Sequence, residues 1–455
     1  MTAVACEPRS LLVKTSVLAN SSTRSRAAAR PYWLFALFAV YGPSIGFGGE
    51  LRYVEIIVLL LLFLNIRQAI KNIGPWEKRF VALFMLAALA HWVSDMVNDA
   101  SVEGTIKRTG TYIMLAFLVP ALKLLSRDDP VRIQWMVLGY CASYIFILYT
   151  GQSFSSAYED DPIRLGLGTA ATIAFCVLFW MFPRYDWFAG PVLLAVAALL
   201  AMLLARSMAA ITALTGVMAL AASLKNRQAP RKFRPGVLIG SALAGALCIA
   251  AAYLGVKEAT DAKLFPKELQ ARMELQFSNP YSLLAAGRPD VLAGAYAAWK
   301  RPWLGHGSTN VDPEVYDFYI EVTASTYLWS SEYAETMHTL WRKQYERGTP
   351  SHSHLFGAWA DAGLLAALCW MATLVLCGYV ASRTMLWRDP RAPLFMFVAL
   401  TTIWDVLFSP GPHRMDMAIR LMILIYAVDL LHAIDRQRDA GTGAFHSNYT
   451  KPFAR

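Results

Sequence analysis

Three basic side chains in this sequence have the chemistry to handle an anion or a proton, and each stands where a chain break focuses it. Arg206 interrupts an apolar stretch, Phe188 to Leu224, that is too long for one membrane crossing and supplies it no counter-charge. An ionisable group so placed either snorkels to the surface or holds an anion at membrane depth. Arg288 stands in Gly287-Arg288-Pro289-Asp290, just ahead of a helix opened by proline, so its guanidinium lies beside free backbone N–H groups. That is anion-binding geometry, although a surface arginine in a turn would look the same. Guanidinium forks match phosphate oxygens, so Arg206 and Arg288 together suit a pyrophosphate. His352, in Pro350-Ser351-His352-Ser353-His354, falls at the start of an apolar helix, whose positive end favours a neutral imidazole able to accept a proton. The plainer reading of His352, and of its neighbours His338 and His354, is an interfacial histidine that caps a helix.

Other residues widen the choice. Lys300, Arg301, Arg342 and Lys343 could meet phosphates or simply face solvent. Tyr316, Tyr319, Tyr327, Trp329, Tyr333, Trp341 and Tyr345 could stack on sugar faces or rest on lipid. His91, Asp95 and Asp405 are the residues a proton path would use; His91 and Asp95 lie near a helix end where solvation is the simpler account. An isolated His-x-His pair, without H-E-x-x-H or acids at ligand spacing, argues for no metal site. Neither a Gly-x-Ser-x-Gly elbow, a phosphate loop nor a dinucleotide fingerprint is found.

The elements that position these groups follow from composition. Of 455 residues, 56% are hydrophobic and 16% charged, against roughly 45–50% and about 25% in soluble domains. With 14 Trp, 20 Tyr and 23 Phe to anchor at surfaces, this fits an all-α polytopic membrane protein, because lipid leaves the backbone of any other open structure unsatisfied. About twelve stretches approach the length of roughly 20 residues that crosses a bilayer. They are 31–49, 53–69, 79–97, 109–126, 131–150, 164–182, 188–205, 207–224, 236–255, 355–382, 393–410 and 418–434. The cysteines show no CxxC spacing and, apart from Cys6, read as small apolar core residues.

A net charge of +10 would suggest nucleic acid in a soluble chain, but here the Lys and Arg fall in short links between apolar runs and read as topology. Alternating links collect Lys71, Lys78, Lys123, Arg127, Lys225, Arg231, Arg388 and Arg391 on the side of the N-terminus, which is therefore cytoplasmic. The opposite links carry fewer, among them Lys107, Arg108 and Arg206. The chain thus divides into a cytoplasmic tail without a cleavable signal, 1–30; nine spans, 31–255; an outer loop, 256–354; three spans, 355–434; and a second cytoplasmic tail, 435–455. Within the loop, 267–277 and 289–299 read as helices, and 315–345 is rich in Tyr and Trp.

In order along the chain come an arginine at an outer helix end, Gly287-Arg288, then Trp299-Lys300-Arg301-Pro302-Trp303-Leu304-Gly305-His306-Gly307, then His352-Ser353 with Gly363 eleven residues on. This ordered set resembles the O-antigen ligase and polymerase family. The match by motif covers about residues 200–375. The resemblance implies a GT-C-like glycosyltransferase of the bacterial inner membrane with a mostly helical periplasmic loop. It would move a glycan from undecaprenyl pyrophosphate to lipid A–core oligosaccharide, with inversion and without metal, nucleotide sugar or other cofactor. By position, Arg206 and Arg288 would hold the donor pyrophosphate and His352 would deprotonate the acceptor hydroxyl, with His338, His354, Lys300, Arg301, Trp341 and Tyr345 as further substrate contacts. The departure is Ser353, where asparagine is common. Polymerisation of repeat units or protein glycosylation is the alternative within the family; a flippase for a lipid-linked glycan is the alternative outside it.

Overall fold

Lipid-compatible backbone dictates what is seen in the computed structural model, which is helical almost throughout. It describes residues 31–40, 44–46, 50–150, 166–203, 205–225, 257–264, 288–310, 312–327, 348–349, 351–408 and 414–439, with isolated positions 230, 236, 254, 255, 270 and 274. Among these, six helices are long and apolar enough to cross a membrane, or seven if one bent pair counts as a span.

The order begins with α1 (Tyr32–Ala39), a two-stranded antiparallel hairpin β1 (Ser44–Gly46) and β2 (Glu50–Arg52), then α2 (Tyr53–Leu64) and α3 (Ile66–Asn72). Two expected spans therefore differ. In the run 31–49 the helix stops at Ala39 and Ser44–Gly46 is a strand, in a stretch whose sequence holds the poor helix formers Gly42, Pro43, Gly46, Gly48 and Gly49. The run 53–69 breaks at Asn65, whose side chain bonds back to the Leu61 carbonyl at 2.9 Å, and the two pieces meet at 84°.

Then follow α4 (Pro75–Val97), α5 (Val102–Ser126), α6 (Pro130–Thr150), α7 (Gly168–Met181), α8 (Ala189–Met202) and α9 (Arg206–Lys225). Beyond these lie α10 (Pro289–Lys300) and α11 (Pro313–Tyr327), and then α12 (His354–Thr384), α13 (Ala392–Phe408) and α14 (Arg414–Asp439). Most expected stretches coincide with helices, but among the described residues only the six or seven above are long and apolar enough to be spans; α7 and α13 are shorter, so the expected count of twelve is not shown. The span at 236–255 lies almost wholly outside the described residues, as does the helix expected at 267–277, apart from Gln270 and Glu274. The loop helix expected at 289–299 is α10.

The core is shared by α4, α5, α6, α12, α13 and α14, where Phe84, Tyr112, Trp370, Phe395 and Phe397 are buried. One end of the bundle gathers basic residues with acidic partners: Lys123 meets Glu77, Asp128 and Asp429, and Arg383 forms a two-pronged pair with Asp435. The other end carries α10, α11 and the 302–310 loop.

Asp405, a proton-path candidate, is instead one arm of a buried triad in which Arg420 pairs with Asp405 and, at 2.7 Å, with Asp416. All three are at most 8% exposed. Removing the cation strands two carboxylates in the core, so Arg420→Ala is expected to cost about 3–5 kcal/mol, read as a lowered melting temperature in detergent.

Candidate functional site

Helix α12 is built around a break. Gly363 takes φ +76° and ψ −173°, next to a non-helical Ala362. His354 and Trp370 would be roughly 24 Å apart along a straight helix, yet their rings stack with centroids 4.5 Å apart, so residues 354–361 fold back on 364–384. The loop after α10 closes over this break. The His306 N–H donates to the Ala360 carbonyl, the Gly307 N–H to the Asp361 carbonyl, and both the Leu364 N–H and the Trp359 indole to the Pro302 carbonyl. Ser94 of α4 also donates to the Asp361 carbonyl at 2.8 Å. The carbonyls of Ala360 and Asp361, freed at the break, thus have donors from the loop and from α4.

Asp95 is not solvated at its helix end. It is 2% exposed, and its two carboxylate oxygens accept from the Ser308 N–H and hydroxyl. His91 is equally buried, stacked on Tyr112 at 4.7 Å. Tyr316 and Tyr319 lie neither on lipid nor toward a substrate: they pack with Ala293, Ala297 and Ala360 in a small core joining α10, α11 and α12. Trp329, Tyr333, His338, Trp341, Arg342, Lys343 and Tyr345 lie outside the described residues.

Two predicted anion contacts are spent on internal bonds. Lys300 donates to both Asp312 oxygens and, at 2.6 Å, to Glu314, which raises its pKa, while Arg301 donates to the Asn98 side chain at 3.0 Å. His306, buried in the same loop, sits with Nε2 at 3.1 Å from the Ala297 carbonyl and Nδ1 at 3.7 Å from Asp312. Burial lowers its pKa despite these partners. A lowered value means the unfolded chain binds the proton more readily, so stability from this loop is full above the ordinary histidine value near 6.5 and is lost as pH falls below it. Protection factors of residues 303–308, corrected for the intrinsic pH dependence of exchange, are expected to fall between pH 7.5 and 5, and His306→Gln to remove that dependence.

The short arm 351–361 delivers His352 to the foot of α10. Gly294 of α10 faces Ser351, where a Cβ would come within 2.8 Å of the serine Cβ. Ser353 caps α12, accepting from the Phe356 N–H at 3.1 Å and donating to the Val406 carbonyl at 2.8 Å. Serine does here what asparagine does equally well at a helix start. His352 Nδ1 then lies 3.2 Å from Asp290, in the first turn of α10. The carboxylate therefore sits on the Nδ1 side of the imidazole. The His352 side chain is 45% exposed. His354 is half-buried, its ring stacked on Trp370 and its Nε2 enclosed, which separates the two histidines by geometry.

Arg288 is the residue before α10, two positions from Asp290, and its guanidinium lies 5.2 Å from the ring centre of Trp404 on α13. Trp404 also packs on the cluster of Leu200, Ala205, Met208 and Ala209 where α8 ends and α9 begins. Arg206 is the first residue of α9. The starts of α9, α10 and α12 therefore lie along one stretch of α13, at Trp404 and Val406, with Arg288 and His352 at two of them; the side chain of Arg206 lies outside the described residues. Asp290 is legible in the sequence only as an acid in the first turn of a helix, a common placement. Among the described residues, no group of three or more His, Cys, Asp or Glu is placed to hold a metal ion.

Compared with family models, with curated proteins and with solved structures, the chain finds no match.

Proposed function

We propose that this protein is a membrane glycosyltransferase that moves a glycan from undecaprenyl pyrophosphate to a hydroxyl of lipid A–core oligosaccharide, as an O-antigen ligase does. The observation that carries the reading is the His352–Asp290 pair lying beside Arg288 where the starts of α9, α10 and α12 line one stretch of α13. In this mechanism His352 Nε2 takes the proton of the acceptor hydroxyl as its oxygen attacks the anomeric carbon. The bond from that carbon to the pyrophosphate breaks, and the anomeric centre inverts. The electron pair leaves with undecaprenyl pyrophosphate, whose charge is met by Arg288 and Arg206. Asp290 is a positioning residue that fixes the imidazole tautomer.

Under this reading the site faces the periplasm and the basic end of the bundle faces the cytoplasm of a bacterial inner membrane. No metal, nucleotide sugar or other cofactor takes part. The acceptor's phosphates would not be met by Lys300 or Arg301, which bond within the protein.

One observation favours a second reading, a flippase: α12 is broken and carries the buried Asp361, as transporters' helices often are. The bonds that close the break argue for a fixed support instead. Purified protein in nanodiscs, given undecaprenyl-pyrophosphate-linked O-antigen and lipid A–core with and without EDTA, is expected to form EDTA-resistant ligated product on a gel. Longer lipid-linked chains alone would make it a polymerase. No new bond from verified substrates would rule out transfer between this donor and acceptor and leave the flippase.

A further inference from the structure

We propose that Arg108 of α5 binds the phosphate of a membrane lipid. The arginine lies six residues into a helix long and apolar enough to span, roughly 9 Å along its axis from the start. It stands at the end of the bundle where the count of links expects few cations, so its presence there calls for a cause.

Its surroundings compensate it only in part. Nε lies 3.5 Å from the carboxylate of Asp361, at the break in α12, and neither terminal nitrogen has a polar partner among the described residues. The Arg108 side chain is half exposed, whereas Asp361 is buried at 3%. Asp95, the other acid in this cluster, is taken up by Ser308. Asp361 thus acts from behind, fixing the guanidinium through Nε and leaving the two-nitrogen edge that matches phosphate oxygens.

The rim of the break decides for a lipid over a free anion. Trp303 and Leu304, just before the loop residues that bond to α12, are 72% and 50% exposed, and Leu365, just after the break, is 49% exposed. Lys107, next to Arg108, is exposed as well and adds positive charge. Exposed apolar groups beside a partly paired arginine suit an amphiphile whose chains lie on the rim while its phosphate meets the guanidinium. This assignment does not depend on glycan transfer, because it is read by binding.

The test is native mass spectrometry of the full chain in detergent, titrated with palmitoyl-oleoyl phosphatidylglycerol or phosphatidylcholine. The wild type is expected to prefer phosphatidylglycerol by about tenfold, from charge-assisted hydrogen bonds. Arg108→Gln is expected to abolish the preference. Because that variant leaves Asp361 buried without its cation, Arg108→Gln is also paired with Asp361→Asn, which removes both charges and is expected to keep the wild-type melting temperature. An unchanged preference in the double variant would overturn the site. Displacement of phosphatidylglycerol by millimolar inorganic phosphate would overturn its assignment to a lipid.

Discussion

Replacing His352 with alanine is expected to slow transfer by about a hundredfold to ten-thousandfold, the range that a positioned base contributes, without weakening donor binding. The reason lies in the tautomer. Asp290 lies 3.2 Å from Nδ1, and a proton kept on that nitrogen leaves Nε2 as the one that can accept another. Asp290→Asn offers an amide N–H to Nδ1 and turns the proton to Nε2, so it is expected to lose about as much as the loss of the base itself. Arg288→Ala removes a cation from the leaving group and is expected to cost about a hundredfold or more in kcat. His354→Ala separates the candidates, because its ring is packed on Trp370 and its loss should lower the melting temperature while leaving the rate per folded molecule within about threefold. Single-turnover rates on lipid-linked donor, with melting curves on the same samples, check all four. A folded His352→Ala that transfers at the wild-type rate removes the proposed base.

Gly363→Ala is expected to destabilise the fold by at least about 3 kcal/mol, the sum of a backbone conformation reserved for glycine and a forced displacement of packed neighbours. The Cβ would lie 1.9 Å from the Trp303 carbonyl oxygen, which is backbone and cannot swing away. Gly378, further along the same helix, provides the contrast: a Cβ there would meet nothing within 4 Å, and Gly378→Ala is expected to be neutral or to stabilise by about 0.5–1 kcal/mol. Folded yield and melting temperature in one detergent distinguish the two. Equal behaviour would mean that the break is not held as described.

The long apolar helices were legible because a bilayer imposes a length and a composition that a hydropathy sum detects. What that sum misses is continuity. Asn65 and Gly363 interrupt runs whose average is unchanged by one residue, so the turn after α2 and the fold-back of α12 had no counterpart in the count. At the site, Arg288 and His352 were visible as rare groups at helix starts, and their shared location was not, since it depends on Trp404 and Val406, which read as ordinary apolar residues. Asp290 was not singled out, Lys300 read as a phosphate contact or a surface cation, and Asp95 as a solvated acid. Each is defined by a partner distant in sequence or by a neighbour across a loop, and spacing along the chain carries no signal of that kind.

The bonds between α4 and the 302–308 loop also order events during synthesis. Asp95 and Asn98 leave the ribosome about two hundred residues before Ser308 and Arg301, which will satisfy them, and Ser94 still longer before Asp361, whose carbonyl it will meet. Until then the end of α4 holds a carboxylate and other polar groups that only water can solvate, which keeps it at the membrane surface. The first helices of this protein can therefore insert early but settle late.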